Sequence, residues 1–253
     1  MLNDRVNSLV PKAANGNFEK ISNLNNPELH KEVAKLAIEG GKISRILYEN
    51  ALNSSFIEDG VLSQEEKDNL DETKRNWDLS VPVIKTTRDK LKQRTNDVDE
   101  LYRVAKEKYS IVRTIFQDIA VKTGGDFIIP ALKTRSRTEE KIAIKYAGDA
   151  SRCRDILRGS MRYSSPTNLL SGLQHIEKDK EFRILNSKNN FAHPLVLGYR
   201  YVNLNVDIDG FIFEIQLHLE RIHFLKKKVL TTWMLIDRGL DWSDNEIDSY
   251  LTA

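Results

Sequence analysis

Apolar residues recur at helical spacing over much of the first half of the chain. Leu29, Val33, Leu36, Ala37, Ile43, Ile46 and Leu47 predict a helix from Pro27 to Leu52, interrupted near Gly40-Gly41. Ser63-Gln64-Glu65-Glu66 has the spacing of a capping box and predicts a second helix start. Leu101, Val104, Ala105, Ile111, Val112, Ile115 and Ile119 place a stripe on a third helix over Lys90–Val121. Residues 1–27, rich in Asn and broken by Pro11, Gly16 and Pro27, read as a loose arm.

The pattern changes at Lys122-Thr123-Gly124-Gly125. Beyond it, predicted helices over Thr138–Tyr146 and Pro166–Lys178 alternate with predicted strands over Arg158–Tyr163 and Phe182–Leu185. A further helix is expected from Leu219 to Asp237, and Ser243-Asp244-Asn245-Glu246 caps a short last one. Mixed order of this kind predicts an α+β domain after residue 122, preceded by a mostly helical region over residues 1–121 and followed by a short helical end over 238–253.

The sharpest local signal is Asp209-Gly210, a two-residue hairpin turn whose positions both take positive φ. It fixes the register. Ile208 faces Phe211, Val206 faces Phe213, Leu204 faces Ile215 and Val202 faces Leu217, forming one apolar face. On the other face Asn205 meets Glu214, Asn203 meets Gln216 and Tyr201 meets His218, with Tyr199 at the open end. A solvated exterior is one account of that face. Asn is a poor strand former, however, and two asparagines in one strand are the sort of local violation found at functional sites. A glutamate flanked by amides suits either a magnesium ion with its water or general-base work on a hydroxyl.

Composition adds limits. The chain has 253 residues, 40% hydrophobic and 30% charged, with a net charge of +2, so any basic site is local. Cys153 is the only cysteine, which excludes an internal disulfide and points to a reducing compartment. No run approaches 18 apolar residues and the first residues lack a signal-peptide core, so a cytoplasmic location, or secretion into a target cell by another route, is expected and a membrane is not. No glycine-rich phosphate loop occurs, and the histidines show no metal-ligand spacing beyond His218-x4-His223.

Five short motifs occur in order: Lys133-Thr134; Lys141; Asp155-Ile-Leu-Arg-Gly-Ser160; Gly198-Tyr199-Arg200; and Glu214-Ile215-Gln216. Together they resemble the RelA/SpoT-type nucleotide pyrophosphokinase domain, over about residues 122–237. The resemblance implies a mixed sheet of nucleotidyltransferase type flanked by helices. It also implies transfer of the β,γ-pyrophosphate of ATP to the 3′-hydroxyl of an acceptor nucleotide, GDP or GTP in most of the family. Adenosine nucleotides or a tRNA 3′ end are the acceptors of divergent, toxin-like members. It further implies that Asp155 and Glu214 lie on neighbouring strands and share Mg²⁺, with Glu214 drawing the acceptor proton.

ATP carries about four negative charges, so cations must gather around it. Lys133, Arg135, Arg137 and Lys141 supply one cluster, and Arg158 and Arg162 share a strand face. On the acceptor side the resemblance implies stacking by Tyr199, with Arg200, Asn203, Asn205, Gln216, His218 and Lys188 around it. The chain departs from the family pattern in four places. Asn203 stands where a histidine is common, and Thr134 follows Lys133 without the usual Arg-x before it. Leu217-His218 replaces Arg-Thr, and the loop 186–197 has a single lysine. No His is followed by Asp, so the hydrolase half of bifunctional relatives is not expected. The long helical region before residue 122 favours a toxin or effector, with that region serving delivery, regulation or the binding of a protein partner.

Overall fold

A computed structural model describes residues 27–87 and 91–226, with side chains from residue 31 onward. The expected arm, the C-terminal part of the last long helix and the short terminal helix lie outside those residues. The elements are α1 (Pro27–Ile57), α2 (Gln64–Asp68), α3 (Leu70–Ser80), α4 (Val98–Lys122), β1 (Gly125–Ile128) and α5 (Arg135–Tyr146). There follow β2 (Arg158–Tyr163), α6 (Pro166–Lys178), β3 (Arg183–Asn189), β4 (Val202–Ile208) and β5 (Phe211–Leu219). Among the described residues no helix is long and apolar enough to cross a membrane.

The strands form one five-stranded sheet in the order β1-β2-β5-β4-β3. β2 and β5 run parallel and the other neighbours antiparallel, giving the mixed sheet of an α+β fold. The hairpin register is the expected one, with Asn205 opposite Glu214 and Asn203 opposite Gln216. Asp209 (φ 52°) and Gly210 (φ 84°) make the turn. Val202, Leu204, Val206, Phe213, Ile215 and Leu217 are fully buried.

Two helices cover that apolar face. On α4 the buried residues Leu101, Ala105, Val112, Phe116 and Ile119 follow the helical period. Phe116 lies 5.0 Å from Phe182 and 5.9 Å from Phe213 between ring centroids. On α6, Leu169, Leu173 and Ile176 are buried, and Gly172 lets the helix come down onto the Tyr163 ring. The opposite, polar face of the sheet carries Arg158, Ser160 and Arg162 in register with Glu214, Gln216 and His218.

Three expectations need correction. The third helix starts at Val98 and not Lys90, because the Asp97 carboxylate accepts from the amides of Asp99 and Glu100 and caps it there. α1 runs through Gly40-Gly41 unbroken, since both glycines are buried and the helix is held by packing around Leu36, Ala37 and Tyr48. β1, a four-residue edge strand, was not foreseen. Among the described residues one unit comprises α1 through Leu52, Pro194–Arg200 and the chain from Arg221. The other comprises Asn53–His193 and Tyr201–Glu220, so α4 belongs with the sheet.

Candidate active site

Asp155 lies on the loop entering β2, three residues before the strand, and not on a strand as expected. Its Oδ2 accepts from Lys133 Nζ and Lys141 Nζ, both at 2.9 Å. The cluster is largely enclosed, with side-chain exposures of 13% for Asp155, 14% for Lys133 and 25% for Lys141. Burial works to raise the Asp155 carboxyl pKa, but Lys141 and Lys133 hold it well below the usual carboxylate range. Lys141 also feels burial pulling its pKa down, and Asp155 more than offsets this. Two ammonium groups on one carboxylate make a net positive, largely enclosed cluster, of a kind suited to phosphate.

Local structure explains the placement. Lys133 precedes α5, where its backbone N–H donates to Ile156 O (3.0 Å) and its carbonyl accepts from the Tyr102 hydroxyl (2.6 Å). Lys141 stands on α5, with Tyr146 5.4 Å from its Nζ and the Arg152 guanidinium 5.0 Å from the same ring. Cys153 donates its thiol to Asp155 Oδ1 (3.4 Å), and burial pushes that thiol up to about 11. The parallel ladder then joins this loop to β5, because Glu214 N–H donates to Leu157 O (3.3 Å).

On β5, Gln216 Nε2 donates to Glu214 Oε1 (2.6 Å), fixing one oxygen of a half-buried carboxylate. Asn205 is buried beside Glu214, Asn203 and exposed Lys188 continue the row, and His218 is buried with its ring stacked on Tyr201 at 5.5 Å. Arg158 pairs in register with Glu214 and is exposed. Several solved structures are similar to this chain in fold. Among solved structures, small alarmone synthetase 2 from Bacillus subtilis is similar over 61% of this chain and 89% of its own, at 17% identity and TM-score 0.49. A Type VI effector in complex with its immunity protein is similar over 61% and 74%, at 19% identity and TM-score 0.42. A GTP pyrophosphokinase family protein from Streptococcus pneumoniae is similar over 61% and 84%, at 16% and 0.45. No family model matches the chain, and no curated protein is significantly similar to it.

Several expected site residues are engaged elsewhere. Arg162 forms a forked pair with Asp126 on β1, with its Nε 3.0 Å from Oδ1. Arg135 pairs with Asp99 and Glu139, and Arg137 with Glu140, all at the exposed surface. Tyr199 and Arg200 belong to the other unit. There the Tyr199 ring is only 8% exposed, 5.4 Å from the Tyr48 ring, with Lys226 Nζ 4.9 Å from its centroid. Arg200 pairs with Glu49 at 2.7 Å. Tyr102, Tyr146 and Gln93 were not singled out from the sequence; none sits in a motif, and no spacing marks it.

Proposed function

We propose that the chain is an ATP-dependent pyrophosphokinase, moving the β,γ-pyrophosphate of ATP to the 3′-hydroxyl of a nucleotide, GDP or GTP first among acceptors. The observation that supports this most is the Asp155 carboxylate shared by Lys133 and Lys141 on a loop bonded to the strand of Glu214. Lys133, Lys141 and Arg158 would bind the triphosphate. Glu214, oriented by Gln216, would accept the proton of the 3′-hydroxyl as its oxygen bonds to the β-phosphorus. The bond between that phosphorus and the oxygen bridging to the α-phosphate breaks, and AMP leaves.

Asp155 and Glu214 are hard oxygen donors and suit Mg²⁺. Bound there, Mg²⁺ would offset charge gathering on the β- and γ-phosphates. Two ammonium groups on Asp155 oppose a bare dication, so Asp155 would turn to the metal only as Lys133 and Lys141 turn to the phosphates. Incubation with labelled ATP and, separately, GDP, GTP, ADP and tRNA tests the proposal. AMP together with a pyrophosphorylated acceptor is expected. Release of free pyrophosphate would instead mean nucleotidyl transfer, and no turnover with any acceptor would mean a binding module.

A further inference from the structure

Gln93 lies in the segment ahead of α4, and its side chain is buried. Its Nε2 donates to the carbonyl oxygens of Cys153 (3.1 Å) and Ile212 (2.7 Å), and its Oε1 accepts from Ile212 N–H (2.9 Å). Its own backbone N–H donates to Ser151 O (2.7 Å). Both amide protons are used, and the oxygen is bonded as well.

The positions are telling. The β2–β5 ladder begins at Arg158 opposite Glu214, so Ile212 lies beyond the reach of β2. One side chain there takes both backbone groups of Ile212, as a neighbouring strand would. Two residues beyond Cys153 is Asp155, and two beyond Ile212 is Glu214. Flanking bonds strap the same loop: Lys92 to Asp149 (3.2 Å), Ser151 N–H to Asn96 Oδ1 (3.1 Å) and Arg154 Nη1 to Leu91 O (3.2 Å).

We propose that Gln93 is a positioning residue. It touches neither carboxylate, and it fixes the spacing between the loop that carries Asp155 and the strand that carries Glu214. Its catalytic consequence rests on the function proposed above. A buried tie that served stability alone would cost turnover only through unfolding. A spacing role costs turnover in the folded protein.

The full chain with Gln93→Met, which keeps length and removes the amide, separates the two. Gln93→Glu, which keeps the acceptor and loses both donors, serves as a second variant. Rates are taken at a temperature where thermal melts show each variant folded, and amide exchange is followed at Ile212. Expected for both variants is a fall in kcat of about 100-fold, the scale of an ångström's misplacement. KM for ATP should stay within about threefold, because the lysines remain. Exchange at Ile212 should accelerate at least about tenfold, with Leu204 and Ile215 unchanged. Wild-type kcat alongside faster exchange would overturn the proposal, as would unchanged exchange or losses that track the unfolded fraction. If the wild type transfers no pyrophosphate, the functional proposal fails by itself. Exchange then decides the spacing role: acceleration confined to Ile212 supports it, and wild-type exchange overturns it.

Discussion

At Asp155 the stabilising partners are ammonium groups, so the carboxylate helps the fold only while it is charged. Its unfolded pKa is about 3.9, and burial opposed by the stronger pull of Lys141 and Lys133 puts the folded value below that. Its contribution is therefore present above about pH 4 and lost as pH falls through the folded value. Asp155→Asn should lower stability by about 1–3 kcal/mol at pH 7. That difference should shrink at pH 3 when urea unfolding is compared at the two pH values. An equal difference at both would mean that the lysines do not set it. Asp155→Asn and Glu214→Gln should each reduce pyrophosphate transfer by roughly 100-fold or more while circular dichroism stays native. Cys153, buried with its thiol pushed up to about 11, should resist a thiol reagent at pH 8 until the protein is denatured. The acidic partner in this cluster was legible because Asp155 sits in a motif. That both lysines would close on it was not, because long flexible side chains can reach many partners.

Among the elements, the hairpin was legible down to its pairs, because a turn with two positive-φ positions leaves one register that buries all the apolar side chains. Gly210→Ala tests the turn. At φ 84° an added methyl costs about 1–2 kcal/mol, and the expected result is a melting temperature lower by several degrees. Arg94, whose guanidinium occupies the methyl's place, can swing aside, so the backbone dominates the loss. Gly172→Ala on α6 tests helix-on-sheet packing. Its Cβ would lie 2.1 Å from the Tyr163 hydroxyl, which is buried and hydrogen-bonded to Thr123 Oγ1. Overpacking of about 1–3 kcal/mol should outweigh the roughly 1 kcal/mol gained in helix propensity, and thermal melts report the sign. β1 escaped the sequence because four residues opening with Gly-Asp show neither alternation nor β-branched enrichment until Ile128. The unbroken α1 escaped it because burial of Gly40 and Gly41 overrides their weak propensity. Gln93 escaped it because a lone glutamine standing in for a strand leaves no periodic trace.

At the scale of the whole chain, α4 falls in the same compact unit as the sheet. With a net charge of +2, any attraction for phosphate must be local, and the proposal assigns it to Lys133, Lys141 and Arg158. The sheet order also puts the last strand among the described residues in the middle, with β2 on one side and β4 on the other. A chain ending at Ile208 should therefore show no cooperative thermal transition by circular dichroism, whereas the full chain should. A native-like melt of the truncated chain would show that β1–β2 and β3–β4 can be joined without β5. The same order has a consequence during biosynthesis. Asp155 and the lysines leave the ribosome well before Glu214, and at about 5–20 residues per second the nascent chain spends seconds without its central strand. If the proposed activity is harmful to the cell that makes it, the order of synthesis delays that activity, because Asp155 and Glu214 cannot meet until β5 has been made.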